Sequence, residues 1–458
     1  MSESTVINLS SYPKATSTNG KKTLSELFTV AEAKAAFPDT FRAYAFYKWT
    51  ETQIMGLAMF NAMWTDALWR GTVDQSQTGG MFISRNIIEA PPGAWWINDY
   101  LHYSFGTYRF PNSGTGNAEW SGNGGGCEIL HWVDNWKGAN TNRTGERVLF
   151  GAVHGGSDSL FAYSEGTAFE GGFRMHGGCG NFRDLAKPRV VGFEAWDFGE
   201  ASGFERIFTH YCDCGKRIAR GTPYNATHTV SSFSNTECGI ELMGVGNARF
   251  SMISTDDNPR SIQTKAGYGR PDTSNVKVDV IKSEWAVTSK NLGRTWKPQA
   301  ISLSGKFKWK IDLITHASGA WGNALFILSP EASIGPSALV VDIIDVFANA
   351  GTEILVHDAS NGIAWKFDPR IVSFKWTNAN GISELQSWPF QAEKISAPHK
   401  NQLGYFESNP TTGLNSGTFN RTSGTPTWND STGNGGSVVT PPIDPNPTSP
   451  KIDSFTSN

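Results

Sequence analysis

The feature that most constrains this chain is a repeat. From about residue 146, short alternating β segments recur between Gly, Asn and Asp turns. They read GGFRMHG from Gly171, FERIFTHY from Phe204, THTVSSFS from Thr227, ARFSMIST from Ala248, VKVDVIKS from Val276, FKWKIDLI from Phe307, ALVVDIID from Ala338 and RIVSFKWT from Arg370. Their starts lie 21 to 33 residues apart, and the shorter segments GIELMG, SIQTKAG, AISLSG, ALFILS and TEILVHD fall between them. A long strand, a turn, a short strand and a loop, repeated at an irregular period, is the pattern of a solenoid. One unit alone leaves its apolar side chains in water, whereas stacking at ~4.8 Å buries them in columns. The alignment puts Val278, Val280, Phe307, Trp309, Ile311, Leu313, Leu339, Val341 and Ile343 in one such column. Each of these side chains contributes roughly 1.5–3 kcal/mol when fully buried. A β-sandwich would show about seven strands at about 8–12-residue spacing and then stop. The expected fold is therefore mainly β: a right-handed parallel β-helix with a mixed α/β N-terminal module.

The expected division has four parts. Residues 1–145 form the N-terminal module: a polar arm, a helix over 23–37 and an aromatic-rich mixed region. In TLSELFTVAEAKAAF, Thr23 caps the helix with Glu26 three residues on, and Pro38 ends it. ETQIMGLAMFNAMWTDALW reads as a second helix. Residues 146–405 form the solenoid, closed by PFQAEKISAPHKNQLGYFES, because an uncapped end would present open strand edges. Residues 406–450 are a Gly/Ser/Thr linker stiffening into a Pro-rich spacer. Residues 451–458 read as the opening strand of a further module or as a docking strand.

Composition narrows the function classes. A net charge of −3 gives no electrostatic case for nucleic acid. No apolar run approaches the roughly 18 residues of a membrane span. The N-terminus lacks a basic stretch followed by an apolar one, so a secretory signal is not expected. Five cysteines (Cys127, Cys179, Cys212, Cys214 and Cys238) are too scattered for a disulfide framework and are expected to be reduced and mostly buried.

Phosphate-loop, zincin and nucleophile-elbow motifs are missing from the sequence, and the glycine runs SGNGGGC and HGGCG read as turns. Three constellations remain. On an unbroken strand, His210, Cys212 and Cys214 of THYCDC would share one face and could hold zinc or iron; the competing reading is two small core cysteines beside a polar histidine. If VDV, IDL and VDI stack, Asp279, Asp312 and Asp342 form an outward ladder with neighbours roughly 5 Å apart. Stacked carboxylates raise one another's pKa, as an acid catalyst of glycoside hydrolysis needs, and they would also suit Ca2+. No other cofactor is expected. Against this, Lys277, Lys308 and Lys310 could neutralise the ladder and leave an inert solvated face. Finally, Trp285, Trp296, Trp321 and Trp365 lie in loops between the repeats, where indole could stack on sugar rings or pack between subunits.

The stretch GFEAWDFGEASGFERIFTHYCDCG, with the repeats that follow it to about residue 380, resembles the pectate-lyase-like β-helix superfamily. Within that superfamily the chain is most similar to bacteriophage tailspike and tail-fibre proteins. The resemblance implies a homotrimer on a virion tail, contacts with other virion proteins, a host surface glycan as ligand and, in many relatives, glycosidase or lyase activity. It assigns no catalytic residue by position. PKIDSFTSN at the C-terminus resembles the first strand of bacterial Ig-like modules, so the chain is expected to be a segment of a longer appendage. The alternative is a cellular extracellular β-helix, either a polysaccharide lyase or hydrolase or a non-enzymatic adhesin.

Overall fold

Parallel strand pairing dominates the structure, a computed structural model. It describes residues 5–70, 87–103, 106–111, 126–137, 145–152, 168–179, 186–196, 203–204, 207–219, 227–233, 235–256, 258, 260–265, 272–284, 299–318, 324–330, 337–349, 352–358, 365–377, 383–387, 394–395 and 419–420. Five short strands (Val6–Asn8, Ile87–Glu89, Thr107–Arg109, Ala168–Glu170 and Gly203–Phe204) make one parallel sheet. The remaining strands form a second, 21-stranded sheet whose pairings fall into two runs.

Run A takes in order Gly93–Ile97, Cys127–His131, Phe173–His176, Ile207–His210, Thr227–Phe233, Arg249–Asp256, Asp272–Glu284, Gln299–Ser318, Ser337–Asn349 and Trp365–Thr377, each parallel to the next. Run B takes Leu101–Tyr103, Arg147–Ala152, Val190–Trp196, Cys214–Ala219, Cys238–Met243, Arg260–Lys265, the start of Gln299–Ser318, Ala324–Pro330 and Thr352–Asp358. The chain thus alternates between the runs and adds one tier to each as it goes. The long repeats aligned from sequence are the strands of run A, and the short ones between them are those of run B. Parallel pairing also runs back across residue 145, with tiers built from strands as early as Gly93–Ile97. At the other end Ser383–Ser387 and Lys394–Ile395 fold back antiparallel on Trp365–Thr377.

One expected column needs correction. Val276 and Val278 are buried, and so are Ile281 and Ser283, whereas Asp279 and Val280 are both partly exposed. The inward parity therefore switches within the strand, because the backbone turns a corner between Asp279 and Val280. The same switch occurs at Asp312 and Leu313, with Ile311 and Ile314 buried on either side. Val280 and Leu313 line the outside of a bend, while Val278, Phe307, Trp309, Ile311, Leu339 and Val341 form the buried column. The side chain of Ile343 lies outside the described residues.

Where the chain turns from run A to run B, the interior carries a polar ladder. Asn235 and Asn258 are buried, and each follows its predecessor by 23 residues, starting from Cys212. The Cys212 N–H donates to Asn235 Oδ1 (3.1 Å), and the Asn235 N–H to Asn258 Oδ1 (3.0 Å). This ladder satisfies turn N–H groups that would otherwise be buried without partners. Thr209 and Ser232 hydroxyls meet at 2.8 Å where run A approaches Gly215 of run B. A Cβ on Gly215 would sit 1.8 Å from Ser232 Oγ, so only glycine lets the runs close this far.

Helices cover the first tiers. The expected helix over 23–37 is two helices, Leu24–Leu27 and Val30–Ala36, each with its own capping box: Thr23 with Glu26, and Thr29 with Glu32. The second T-x-x-E signal stops the first helix at extended Phe28 and starts the next. Pro38 opens a third helix, Pro38–Phe46, at its first position, where its missing N–H costs nothing. ETQIMGLAMFNAMWTDALW likewise divides into Glu51–Met55 and Met59–Trp69 on either side of Gly56. Met59–Trp69 lies over the stack: Trp64 donates Nε1–H to the His102 carbonyl (2.7 Å), stacks on Tyr108 and meets Phe150 edge-on. Trp64, Trp69 and Trp95 are buried, so much of the aromatic content is core. No helix among the described residues is long and apolar enough to cross a membrane.

Candidate functional site

Two columns of charge run along the stack. The first lies on the outer corner of run A. Its register aligns Val278, Ile311 and Val341, which places Asp279, Asp312 and Asp342 on successive tiers as the stacking of VDV, IDL and VDI requires. Lysines alternate with them. Lys277 Nζ lies 3.2 Å from Asp279 and 3.1 Å from Asp312; Lys310 Nζ lies 3.3 Å from both Asp312 and Asp342. Arg249 closes one end on Asp279 at 3.0 Å. Partial desolvation pushes the carboxyl of Asp279 up, but hydrogen bonds from Arg249 and Lys277 outweigh it and hold the group below the usual range. Asp312 is held down in the same way, against its own desolvation, by Lys277 and Lys310. At Asp279 and Asp312 the expected rise from stacked like charges is thus reversed, because a cation sits between each pair of carboxylates. Beside the ladder, Met252, Val280 and Leu313 form a register-aligned apolar strip, with Met252 37% exposed.

The second column lies on run B and is buried. Register aligns Glu194, Arg217, Glu241 and Gln263 on four successive tiers. Glu194 and Glu241 are fully buried, and Arg217 is 2% exposed. Arg217 donates to Glu241 Oε1 (2.8 Å), to Glu194 Oε2 (3.1 Å) and to Glu146 Oε1 (2.7 Å). Arg189 forks onto Glu241 at 3.1 and 2.9 Å and reaches Glu237 (2.7 Å) and Glu146 (3.0 Å). Lys265 and Gln263 complete the shell around Glu241. Burial pushes Glu146 up, but its bonds to Arg217 and Arg189 outweigh this and bring it down to about 2. Glu241 likewise lies well below its ordinary value, its burial outweighed by Arg217 and Arg189. These carboxylates are ionised and occupied, which suits rigid bracing and not proton donation. Sequence reasoning missed the cluster. The signal was available, because GFEAW, GKRIA, GIELM and SIQTK carry Glu, Arg, Glu and Gln at one point of the repeat.

The proposed metal trio is not brought together. Its spacing argument assumed a continuous strand, but the strand ends at His210, residues 211–213 bend, and a new strand of run B starts at Cys214. Cys212 packs in the main core, whereas Cys214 packs with Val148, Val191 and Cys238 in a separate cluster. His210 lies edge-on against His176, and burial pushes its pKa down to about 3. None of the five cysteines is in a disulfide, and Cys127, Cys212, Cys214 and Cys238 are buried. Lys216, also buried, donates Nζ to the Ile207 carbonyl, with its pKa driven well down by desolvation. Trp285, Trp296 and Trp321 lie outside the described residues; Trp365 begins a run A strand, and its side chain is likewise outside them.

No family model matches the chain, and no curated protein matches it. Among solved structures, DFA-IIIase from Arthrobacter chlorophenolicus A6 aligns with a TM-score of 0.32 and 11% identity, over 78% of this chain and 85% of that one. The same enzyme without its lid gives 0.28 and 10%, over 78% and 90%; its complex with GF2 gives 0.29 and 10%, over 78% and 86%. A likeness this weak transfers neither residues nor activity to this chain.

Proposed function

We propose that this chain is a carbohydrate-binding stalk, a right-handed parallel β-helix that presents the outer corner of run A to a surface polysaccharide. The setting we propose is a homotrimeric virion tail fibre or tailspike, as the tailspike-like stretch of the sequence implies. The supporting observation is the strip at the corner. An apolar column (Met252, Val280, Leu313) lies beside a column of alternating Asp and Lys, and each repeats once per tier. Sugar rings offer an apolar C–H face and a rim of hydroxyls, so a polymer lying along this axis would meet both columns in phase. The ion-paired carboxylates serve as acceptors for those hydroxyls. The lowered pKa of Asp279 and Asp312 does not suit a general acid, which favours binding over cleavage at these two carboxylates.

The test is titration of surface-polysaccharide fragments against the wild-type chain and an Asp279→Asn/Asp312→Asn/Asp342→Asn variant, with native mass and reducing-end release measured on the same samples. Wild-type binding weakened about tenfold in the variant, on a chain of trimeric mass that releases no new reducing ends, is the expected result. Unchanged binding in the variant removes the ladder from the site. Reducing ends released by the wild type and not by the variant would make the ladder catalytic and overturn the binding-only reading.

A further inference from the structure

Two stacked cysteines on run B carry an inference that does not depend on the glycan reading. Cys214 and Cys238 are register partners on neighbouring parallel strands, and both are fully buried. Their sulfurs lie within 4.8 Å of each other. They pack with Val148 and Val191 in a small cluster apart from the main core, to which Cys127 and Cys212 belong. We propose that Cys214 and Cys238 are a reversible redox pair, which hydrogen peroxide closes into a disulfide between two adjacent tiers and a thiol reductant opens again.

The reach is right. Neighbouring parallel strands hold opposed Cα atoms about 4.8 Å apart, inside the roughly 4.4–6.8 Å that a disulfide spans. The sulfurs close to about 2.05 Å by rotation about the two Cα–Cβ bonds. Opposed Cβ atoms on such strands stand farther apart than the ~3.8 Å of a relaxed disulfide, so the bond forms under tension and is readily reduced. The two sulfurs are also placed unequally. Cys238 Sγ accepts from Gln263 Nε2 (3.2 Å) and has Arg189 Nη2 at 3.7 Å. Cys214 Sγ–H donates to the Lys216 carbonyl (3.3 Å), and burial pushes that thiol well above its ordinary value. A negative sulfur at Cys238 therefore meets an amide donor and a guanidinium, which makes Cys238 the attacking group and Cys214 the resolving thiol. The Cys238 sulfur gives up its proton and attacks one peroxide oxygen. The O–O bond breaks, the other oxygen leaves with that proton as water, and Cys238–SOH remains. The Cys214 sulfur then displaces this hydroxyl, which leaves with the Cys214 proton as a second water. Two thiols are oxidised, one peroxide is reduced, and no net charge is added beside Glu241 and the cations around it.

The experiment treats the folded full chain with hydrogen peroxide, alkylates the remaining thiols in denaturant and maps the fragments by mass. The digest cuts before Asp213, which parts Cys214 from Cys212. The expected result is a link between the fragments that hold Cys214 and Cys238, loss of both from alkylation, an alkylated Cys127, and recovery of both thiols with dithiothreitol. Cys214→Ser and Cys238→Ser should each abolish the link. In Cys214→Ser the Cys238 sulfenic acid has no resolving thiol and should be trapped by dimedone. The wild-type map decides the matter even where a variant fails to fold. Cys214 and Cys238 that remain fully alkylated after peroxide has oxidised the partly exposed Cys179 would overturn the proposal. So would a link that joins Cys179 to Cys212 instead, or sulfinic acids at Cys214 and Cys238 with no link between them.

Discussion

The corner of run A and the face of run B use one device in two media. Both stack opposite charges tier upon tier: Arg249, Asp279, Lys277, Asp312, Lys310 and Asp342 on one, Glu194, Arg217 and Glu241 on the other. The ladder's carboxylates keep 27–34% of their side-chain surface, whereas Glu194 and Glu241 keep none. A unit-charge pair at about 4 Å is worth about 1 kcal/mol in water and about 4 kcal/mol at an effective dielectric of about 20, before desolvation is subtracted. Charges as deep as Arg217 persist only if several partners repay that desolvation, and Arg217 has three carboxylates around it. Alternating charge along a stack therefore does not declare its role. The ladder is adjustable, salt-sensitive surface; the cluster is a brace whose members cannot be removed singly.

The sharpest way to break this contrast is Arg217→Met. It leaves Glu146, Glu194 and Glu241 with one fewer cation in a dry site, and destabilisation of about 3–5 kcal/mol is expected from the guanidinium midpoint and slope. A loss under about 1 kcal/mol would mean that water reaches the cluster and that the two columns are alike.

Acid titration sharpens the comparison next. The unfolded chain protonates His131 near its ordinary 6.5, whereas burial holds the folded imidazole near 4, with only its bond to the Gly177 carbonyl opposing. Its contribution is complete above pH 6.5 and is lost as pH falls toward 4, by about 2 kcal/mol at pH 5. Glu146 follows at lower pH: its stabilisation is present above 4.5 and is lost as pH falls toward 2. Asp99 works the other way. Burial raises it to about 6, so its contribution is present at low pH and fades as pH rises through 6. A difference measurement isolates the histidine. The stability gap between wild type and His131→Asn should move by about 2 kcal/mol in favour of the variant from pH 7.5 to 5. A constant gap would show that His131 titrates in the folded chain as it does in the unfolded one.

How much of this was legible follows from period and parity. The repeat gave the strand order of run A and the ladder register, because VDV, IDL and VDI carry their own alignment. It failed at Val280 and Leu313, since strict alternation has no way to signal a corner, and at His210–Cys214, where a bend interrupts what reads as one strand. The double T-x-x-E in TLSELFTVAEAKAAF was on the page, but one capping box was read where there are two. The Glu194–Arg217–Glu241 brace was hidden for a different reason. The residues recur at one point of the repeat, but buried charges look like surface charges in sequence, and only the fold shows that Glu194, Arg217 and Glu241 are buried.

The smallest expected effect is also the most discriminating. In a double-mutant cycle of Lys277→Ala and Asp312→Asn, the coupling should be about 0.5 kcal/mol at low salt and should vanish near 1 M NaCl, because an exposed pair sits in high dielectric and is screened. The Arg217–Glu194 pair should keep its coupling across the same range. If the Lys277–Asp312 coupling instead exceeds about 2 kcal/mol and resists salt, the corner is not solvated in the assembled protein. Its apolar strip and ladder would then be covered by protein and closed to a polysaccharide, so this small number decides whether the corner is a surface for binding glycan at all.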